Sequence, residues 1–300
     1  MFKRKVFFPV AVIIPIMGWY ILFIFYPVIY ALYTSFFLWI PENPAVSPFV
    51  GLKNYVELFT IDPRFKIALI NTIVYVSLKT IIVVPVGLIL ALLLDKTPIG
   101  RRFYIFCIFL PALCSATAIG ILFTYLYQPR FGFFNHMLTK ISLPSQGFLS
   151  SSKQALYCVL ATDIWQFLGF STLIFYIGLI NVPRTFTEAA LIDGAGKFRI
   201  FWSVTVPLLG HTLLFISIYT MINAFQVFDF IFVMTSTGGG TGGSAGGPGY
   251  SSYILALLVY NEGMLRLRIG KATAVATILF IIVMVLTLLQ FKVLKPKWEY

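Results

Sequence analysis

The sequence predicts an all-α integral membrane protein with six transmembrane helices. Three observations carry that prediction. Hydrophobic residues fill 59% of the 300 positions and charged residues only 11%, against roughly 25% charged in a soluble domain. Mean hydropathy is +0.93. The apolar residues are gathered into six long runs, with Lys and Arg clustered in the short segments between them. Such a chain has too little polar surface to cover itself in water, so lipid is its solvent over much of its length.

A spanning helix needs roughly 20 mostly apolar residues, because hydrocarbon offers no partner to a free peptide group. Six segments qualify: 7–38, 67–94, 103–127, 154–180, 207–234 and 271–294. The first follows Lys3-Arg4-Lys5 and resembles a signal peptide at its start. Its apolar run is too long for a signal core and no small-x-small cleavage site follows, so it is expected to stay as the first helix. The formal charge of +12 does not point to nucleic acid, since the basic residues sit between apolar runs as they do in membrane proteins. Cys107, Cys114 and Cys158 all lie in apolar stretches and read as packing residues, and two histidines, His136 and His211, are too few for a zinc centre. No metal is expected.

Basic residues set the orientation. With the N-terminus inside, segments 1–6, 95–102, 181–206 and 292–300 hold twelve Lys and Arg in about 49 residues. The outer loops, with Lys271, hold nine in about 91. Both termini are therefore expected in the cytoplasm. Trp19, Tyr20, Trp39, Trp298 and Tyr300 read as interfacial anchors. The glycine tract over 238–249 tolerates no regular element, and reads as a flexible linker. Tyr250 to Tyr260 is apolar but too short to span, which suits a packed or re-entrant helix.

The most informative stretch lies between the fourth and fifth runs, over 181–207. Thr185 and Glu188 form a capping-box pattern, so a helix is expected to start just after Pro183. Ala189 and Ala190 keep one side slim, and Gly194 and Gly196 around Ala195 turn or break the helix. A second stretch with Phe198, Phe201, Trp202, Val204 and Val206 returns toward the membrane. The product is a short bent helix that suits docking into a cleft of a soluble partner.

The run Glu188-Ala189-Ala190, then Asp193-Gly194-Ala195, with Phe201, Val204 and Pro207 beyond, resembles the EAA loop of binding-protein-dependent ABC importer permeases. Weaker pieces are similar to the carbohydrate branch of that family, alongside maltose and glycerol-3-phosphate permeases. They include Tyr26-Pro27, Gly51-Leu52-Lys53-Asn54-Tyr55, Asn71-Thr72, Leu110-Pro111, Phe131-Gly132-Phe133-Phe134-Asn135 and Thr237-Gly238-Gly239. The chain departs from the pattern at His211, where a second proline is common, and in its longer glycine tract.

The resemblance implies a type I ABC importer permease fold in a bacterial or archaeal inner membrane. The first helix and outer loop would occupy 1–66, the five-helix transmembrane domain 67–294, and a cytoplasmic tail 295–300. It implies a second, homologous permease subunit, a cytoplasmic ATPase dimer and an extracytoplasmic solute-binding protein as partners. It gives Glu188, Ala189, Ala190, Asp193, Gly194, Ala195 and Gly196 the role of coupling to the ATPase. Independently, Gly194-Ala195-Gly196-Lys197 lacks the spacing and the Ser/Thr of a phosphate loop. ATP and Mg are thus expected on the partner, with no cofactor in this chain and no catalysis by it.

Polar residues inside the runs mark a candidate solute pathway. Lys79 sits near the middle of the second run, where a charge costs roughly 2.5–3.5 kcal/mol on insertion scales and must face a cavity or a partner. It reads either as an ion pair with Asp163 or Asp229, or as a cavity contact that attracts an anionic solute. Asp163, Trp165 and Gln166 open the fourth run. Asn223, Gln226 and Asp229 recur at intervals of three, which puts them on one helical face, with Phe225 and Phe228 between. The set offers hydrogen bonds and aromatic platforms to a sugar, or hydrogen bonds between helices. An ion-coupled secondary transporter is the alternative function; it would want duplicated halves with broken helices, and the sequence holds no matching repeat.

Overall fold

The computed structural model describes residues 12–97, 99–236 and 245–294, with Arg184 described for its backbone alone. In chain order the helices are α1 (Val12–Thr34), α2 (Lys53–Thr60), α3 (Pro63–Lys96), α4 (Arg101–Leu113), α5 (Ala116–Leu126) and α6 (Phe133–Lys140). They continue as α7 (Ala155–Ile180), α8 (Arg184–Ile192), α9 (Lys197–Leu208), α10 (Gly210–Phe225), α11 (Asp229–Ser236), α12 (Leu255–Leu265) and α13 (Ile269–Leu294).

Four of these, α1, α3, α7 and α13, are each long and apolar enough to cross a membrane. The count rises to six if each of two bent pairs is one span: α4 with α5, and α9 with α10. The expected spans 67–94, 154–180 and 271–294 therefore stand within a few residues. The expected third span, 103–127, is not one straight rod. It turns by 94° between α4 and α5, where Cys114 and Ser115 take extended backbone. The fifth, 207–234, is also broken. A 69° bend at Leu209 precedes α10, which ends at Phe225, and Gln226–Phe228 separate it from α11. Apolar runs do not show such bends because an apolar residue suits either side of a break.

Prolines account for two further irregularities. Wide π-turns at Ile21–Phe25 and Phe201–Thr205 each directly precede a helix with proline in its first turn, at Pro27 and Pro207. A proline ring removes one donor from the ladder, and the preceding turn widens around it. The expected short helix is present as α12, starting five residues later than the apolar run and ending beyond it. Most of the glycine tract, 238–244, lies outside the described residues.

The chain forms two compact units. Among the described residues, one comprises those up to Phe65 together with Leu258–Ile281; the other comprises those from Lys66 to Leu257 and those from Ile282 on. In the first, Asn54 donates to the carbonyls of Ser35 (2.8 Å) and Phe37 (3.0 Å), and Tyr55 shares a 2.6 Å hydroxyl bond with Ser35. Gly270 of α13 touches the Phe37 carbonyl so closely that no Cβ would fit. In the second, α7 is the central helix. Its Gly169 admits the backbone of α4 at Ile108, Ser171 fills the notch left by Gly87 of α3, and Gly178 admits Thr212 of α10. Small residues let membrane helices approach closely enough for dispersion to hold them. Leu88, Ala91, Phe175, Leu209 and Ile216 form one buried apolar cluster of this unit. Asn71 donates to the Tyr253 carbonyl (2.9 Å), and Thr72 accepts from the Leu255 amide (3.0 Å), which caps the start of α12.

Candidate functional site

The segment 184–200 folds as the bent helix pair expected. Helix α8 ends at Asp193, and Gly194 follows with φ +75°, a conformation that a Cβ penalises. Gly194 donates to the Leu191 carbonyl (3.0 Å) and Ala195 to the Ala190 carbonyl (2.9 Å). These two bonds close a Schellman turn. Gly196 is extended and precedes α9. The start of α8 corrects one expectation. Pro183 is the capping residue and no side chain caps the helix, so Thr185 and Glu188 form no capping box. The ring of Pro183 has already fixed the backbone there, which puts Thr185 inside the first turn.

This helix pair exposes large apolar side chains among charged ones. Ile192 is 87% exposed, Phe198 79% and Leu191 56%. Glu188, Ala189, Asp193 and Gly196 are exposed, and Ala190 and Ala195 half-buried. Glu188 and Thr187 also line a cavity of about 530 Å³ with Asp95, Lys96 and Arg101. Arg101 anchors that cavity by donating to the Tyr176 hydroxyl (2.9 Å) and to the carbonyls of Asp95 (2.8 Å) and Thr97 (3.0 Å).

Lys79 is fully buried. Its ammonium donates to Asp163 Oδ2 (2.6 Å) and to Asn223 Oδ1 (2.7 Å), and lies 4.6 Å from the centre of the Phe167 ring. Tyr75 donates to the same Asp163 oxygen at 2.6 Å. Of the two carboxylates expected as its partner, Asp163 is the one; Asp229 is not.

Asp163 and Asn223 also line a cavity of about 220 Å³, together with Gln166, Gln226, Asp229, Phe167 and Phe228. The expected single helical face does not exist, because α10 stops at Phe225. Asn223, Gln226 and Asp229 meet instead around the break between α10 and α11. Gln166 donates to the Cys114 carbonyl (2.8 Å), satisfying a peptide group freed by the α4–α5 bend. Two expected members lie elsewhere. Trp165 is exposed and packs on Phe123, with ring centres 5.3 Å apart, and Phe225 is buried in the core.

A second charged cluster went unseen in the sequence, where the ten acids look scattered. Within the first unit, Asp62 pairs with Arg64 (2.8 Å) and Lys271 (2.8 Å); Lys271 also pairs with Glu57 (3.0 Å). Glu262, fully buried, takes Arg64 (3.0 Å) and Arg266 (3.1 Å) on one oxygen. Burial alone would raise the Asp62 carboxyl, but hydrogen bonds and charge from Lys271 and Arg64 overcome it and hold the pKa at about 2. Glu57, Asp62 and Arg64 are distant in sequence from Glu262, Arg266 and Lys271, so only the fold unites the two groups. Among the described residues no group of His, Cys, Asp and Glu is arranged to hold a metal ion.

The model of the family described as "Binding-protein-dependent transport system inner membrane component" matches residues 67–300. The chain is 32% identical over 284 residues to the "Probable ABC transporter permease protein YurN" of Bacillus subtilis, covering 93% of this chain and 94% of that one. It is 29% identical over 283 residues to the "sn-glycerol-3-phosphate transport system permease protein UgpA" of Yersinia pseudotuberculosis, covering 90% and 92%. Its fold is shared by a chain of a bacterial ABC transporter involved in import of the acidic polysaccharide alginate, with a TM-score of 0.83, 20% identity and coverage of 99% and 98%.

Proposed function

The chain belongs to the binding-protein-dependent transport system inner membrane component family, and we propose that it forms the route for a sugar, oligosaccharide or polyol-type solute and takes its ATP-driven motion through the helix pair 184–200. It is a multi-pass inner-membrane permease subunit, not an enzyme, and membership of this family sets aside the ion-coupled carrier. Hydrolysis of ATP is the work of a partner subunit.

One observation carries the coupling role: the apolar residues Leu191, Ile192 and Phe198 stand exposed on either side of a hydrogen-bonded turn. Outside the spanning helices, exposed apolar side chains on a helical element suit an interaction site, and a protein partner is the occupant proposed for this one. Such a knob fits a groove of a cytoplasmic ATPase, one of a dimer that binds ATP and Mg. That reading places the helix pair 184–200 and both termini on the cytoplasmic side, in keeping with the nine basic residues of segments 1–6, 181–206 and 292–300. The remaining partners are a solute-binding protein, a second and homologous permease subunit and the lipid bilayer; nucleic acid is not among them. The solute route is the cavity around Asp163, Asn223, Gln226 and Asp229, where amides and aromatic rings replace hydrating water.

The test is Gly194→Val in the complex with both permeases and the ATPase. A β-branched residue opposes φ +75°, so the knob is mis-aimed while the spanning helices are untouched. The expected result is normal membrane insertion and permease pairing, with the ATPase lost on co-purification or its binding-protein-stimulated hydrolysis abolished. Retention of both would sink the coupling role.

A further inference from the structure

The charges around the solute cavity favour one class of solute, and we propose that the pathway is built for a solute without negative charge, with Asp229 as the specificity-determining residue. The proposal rests on the reading of that cavity as the route.

Lys79 is the cation nearest in kind to an anion receptor, and it is unavailable for that work. Its ammonium is fully buried and spent on Asp163, Asn223 and the Phe167 ring. It neutralises Asp163 from behind and does not line the cavity. No Lys, Arg or His lines the cavity among the described residues. The one lining carboxylate that no cation pairs, among those residues, is Asp229, exposed at the start of α11. The cavity therefore carries a net negative charge.

The neutral groups add polarity without reversing the sign. Asn223 gives its carbonyl to Lys79, so its NH2 is what remains for a solute. Gln166 gives its NH2 to Cys114, so its carbonyl remains, and Gln226 is exposed with both groups. A sugar hydroxyl can donate to Asp229 or Gln166 and accept from Asn223, while Phe167 and Phe228 offer apolar faces to its ring carbons. A phosphate or uronate would meet Asp229 as a like charge with no cation to offset it. The cargo that gives UgpA its name, sn-glycerol-3-phosphate, is thus the kind this lining opposes.

The test reads the charge directly and needs no knowledge of the solute. In the assembled importer in membrane vesicles, Cys107, Cys114 and Cys158 are replaced by serine and Gln226→Cys is introduced. Reaction rates are then measured with a trimethylammonium-ethyl and a sulfonato-ethyl methanethiosulfonate, corrected for their rates with free thiol. The expected ratio favours the cationic reagent, falls roughly tenfold with Asp229→Asn as one nearby charge is removed, and returns with Asp229→Glu. A ratio favouring the anionic reagent, or one unmoved by Asp229→Asn while Asp229→Glu is also silent, overturns the proposal. The reading of the cavity as the route is checked separately. Trapping with ATP and vanadate should change the side from which the reagents reach residue 226; an unchanged side rejects the route, and with it any role for Asp229 in selection, even where the charge ratio is as expected.

Discussion

Two regions of this molecule invert the ordinary distribution of side chains, and they do so in opposite directions. Around Lys79 polar and charged groups are buried; around Ile192 apolar groups stand in the open. The difference lies in where the partners come from. Lys79 finds Asp163, Asn223 and Phe167 within its own chain, so its burial is self-sufficient. Ile192, Leu191 and Phe198 stay exposed, although Phe198 meets the Trp202 ring edge-on at 6.3 Å, and a backbone turn holds them outward. A closed polar set of this sort is structural, whereas an ordered apolar projection is an unfinished interface.

The largest effect follows from breaking the closed set. Lys79→Met strands Asp163 in a low-dielectric bundle, at a cost of about 3–5 kcal/mol, and the yield of folded subunit in membranes should collapse. Lys79→Met/Asp163→Asn should recover most of it. Failure of that double change, with Asp163→Asn alone tolerated, would mean that the pair is not what holds Lys79 there.

The cluster around Asp62 sharpens the contrast, since its carboxylates and cations are shared rather than paired one to one. The folded carboxyl titrates at about 2, below the ordinary 3.8. Its contribution is therefore complete above pH 3.8 and is lost as pH falls toward 2, amounting to about 2 kcal/mol. Thermal unfolding of wild type and Asp62→Asn should differ at pH 7 and converge near pH 2. A difference that persists at pH 2 would contradict the assignment.

Smaller still is the strain of Gly194→Ala, about 1–2 kcal/mol for a Cβ in the left-handed region. It should leave subunit yield nearly normal while lowering stimulated ATP hydrolysis, because only the aim of the knob depends on it. Glu188→Ala is the mildest. No side-chain cap exists for it to remove, so stability should change by less than about 0.5 kcal/mol, measured by unfolding of the purified complex. A loss above 1 kcal/mol would show that Glu188 holds α8 in place.

The sequence made the spans legible because an apolar run of the right length has few other uses, and α3, α7 and α13 follow it closely. Gly194 was legible too, since glycine after an alanine-rich helix announces a turn. The bends at Cys114–Ser115 and Leu209 were not, because Pro111, Pro207 and Gly210 stand beside them inside continuous apolar runs, where such residues are also tolerated in an unbroken span. For the same reason the spacing of Asn223, Gln226 and Asp229 suggested a helical face that the chain abandons at Phe225. The candidate site was nevertheless found in outline, as a polar residue is conspicuous in an apolar run even when its helix is broken. The network of Asp62, Glu262 and Lys271 was invisible, since its members belong to the α2–α3 connection, α12 and α13, and only tertiary contact gives them meaning.

The central claim is that the knob at Ile192 is a contact with the ATPase. It is tested most directly by placing a photoreactive benzoyl-phenylalanine at Ile192, and as a control at Ile281, in the assembled importer. The account predicts an adduct with the ATPase subunit from residue 192 and none from residue 281, which lies in the apolar spanning helix α13. An adduct from residue 192 to lipid or to another permease chain, with the ATPase bound but unlabelled, would contradict it.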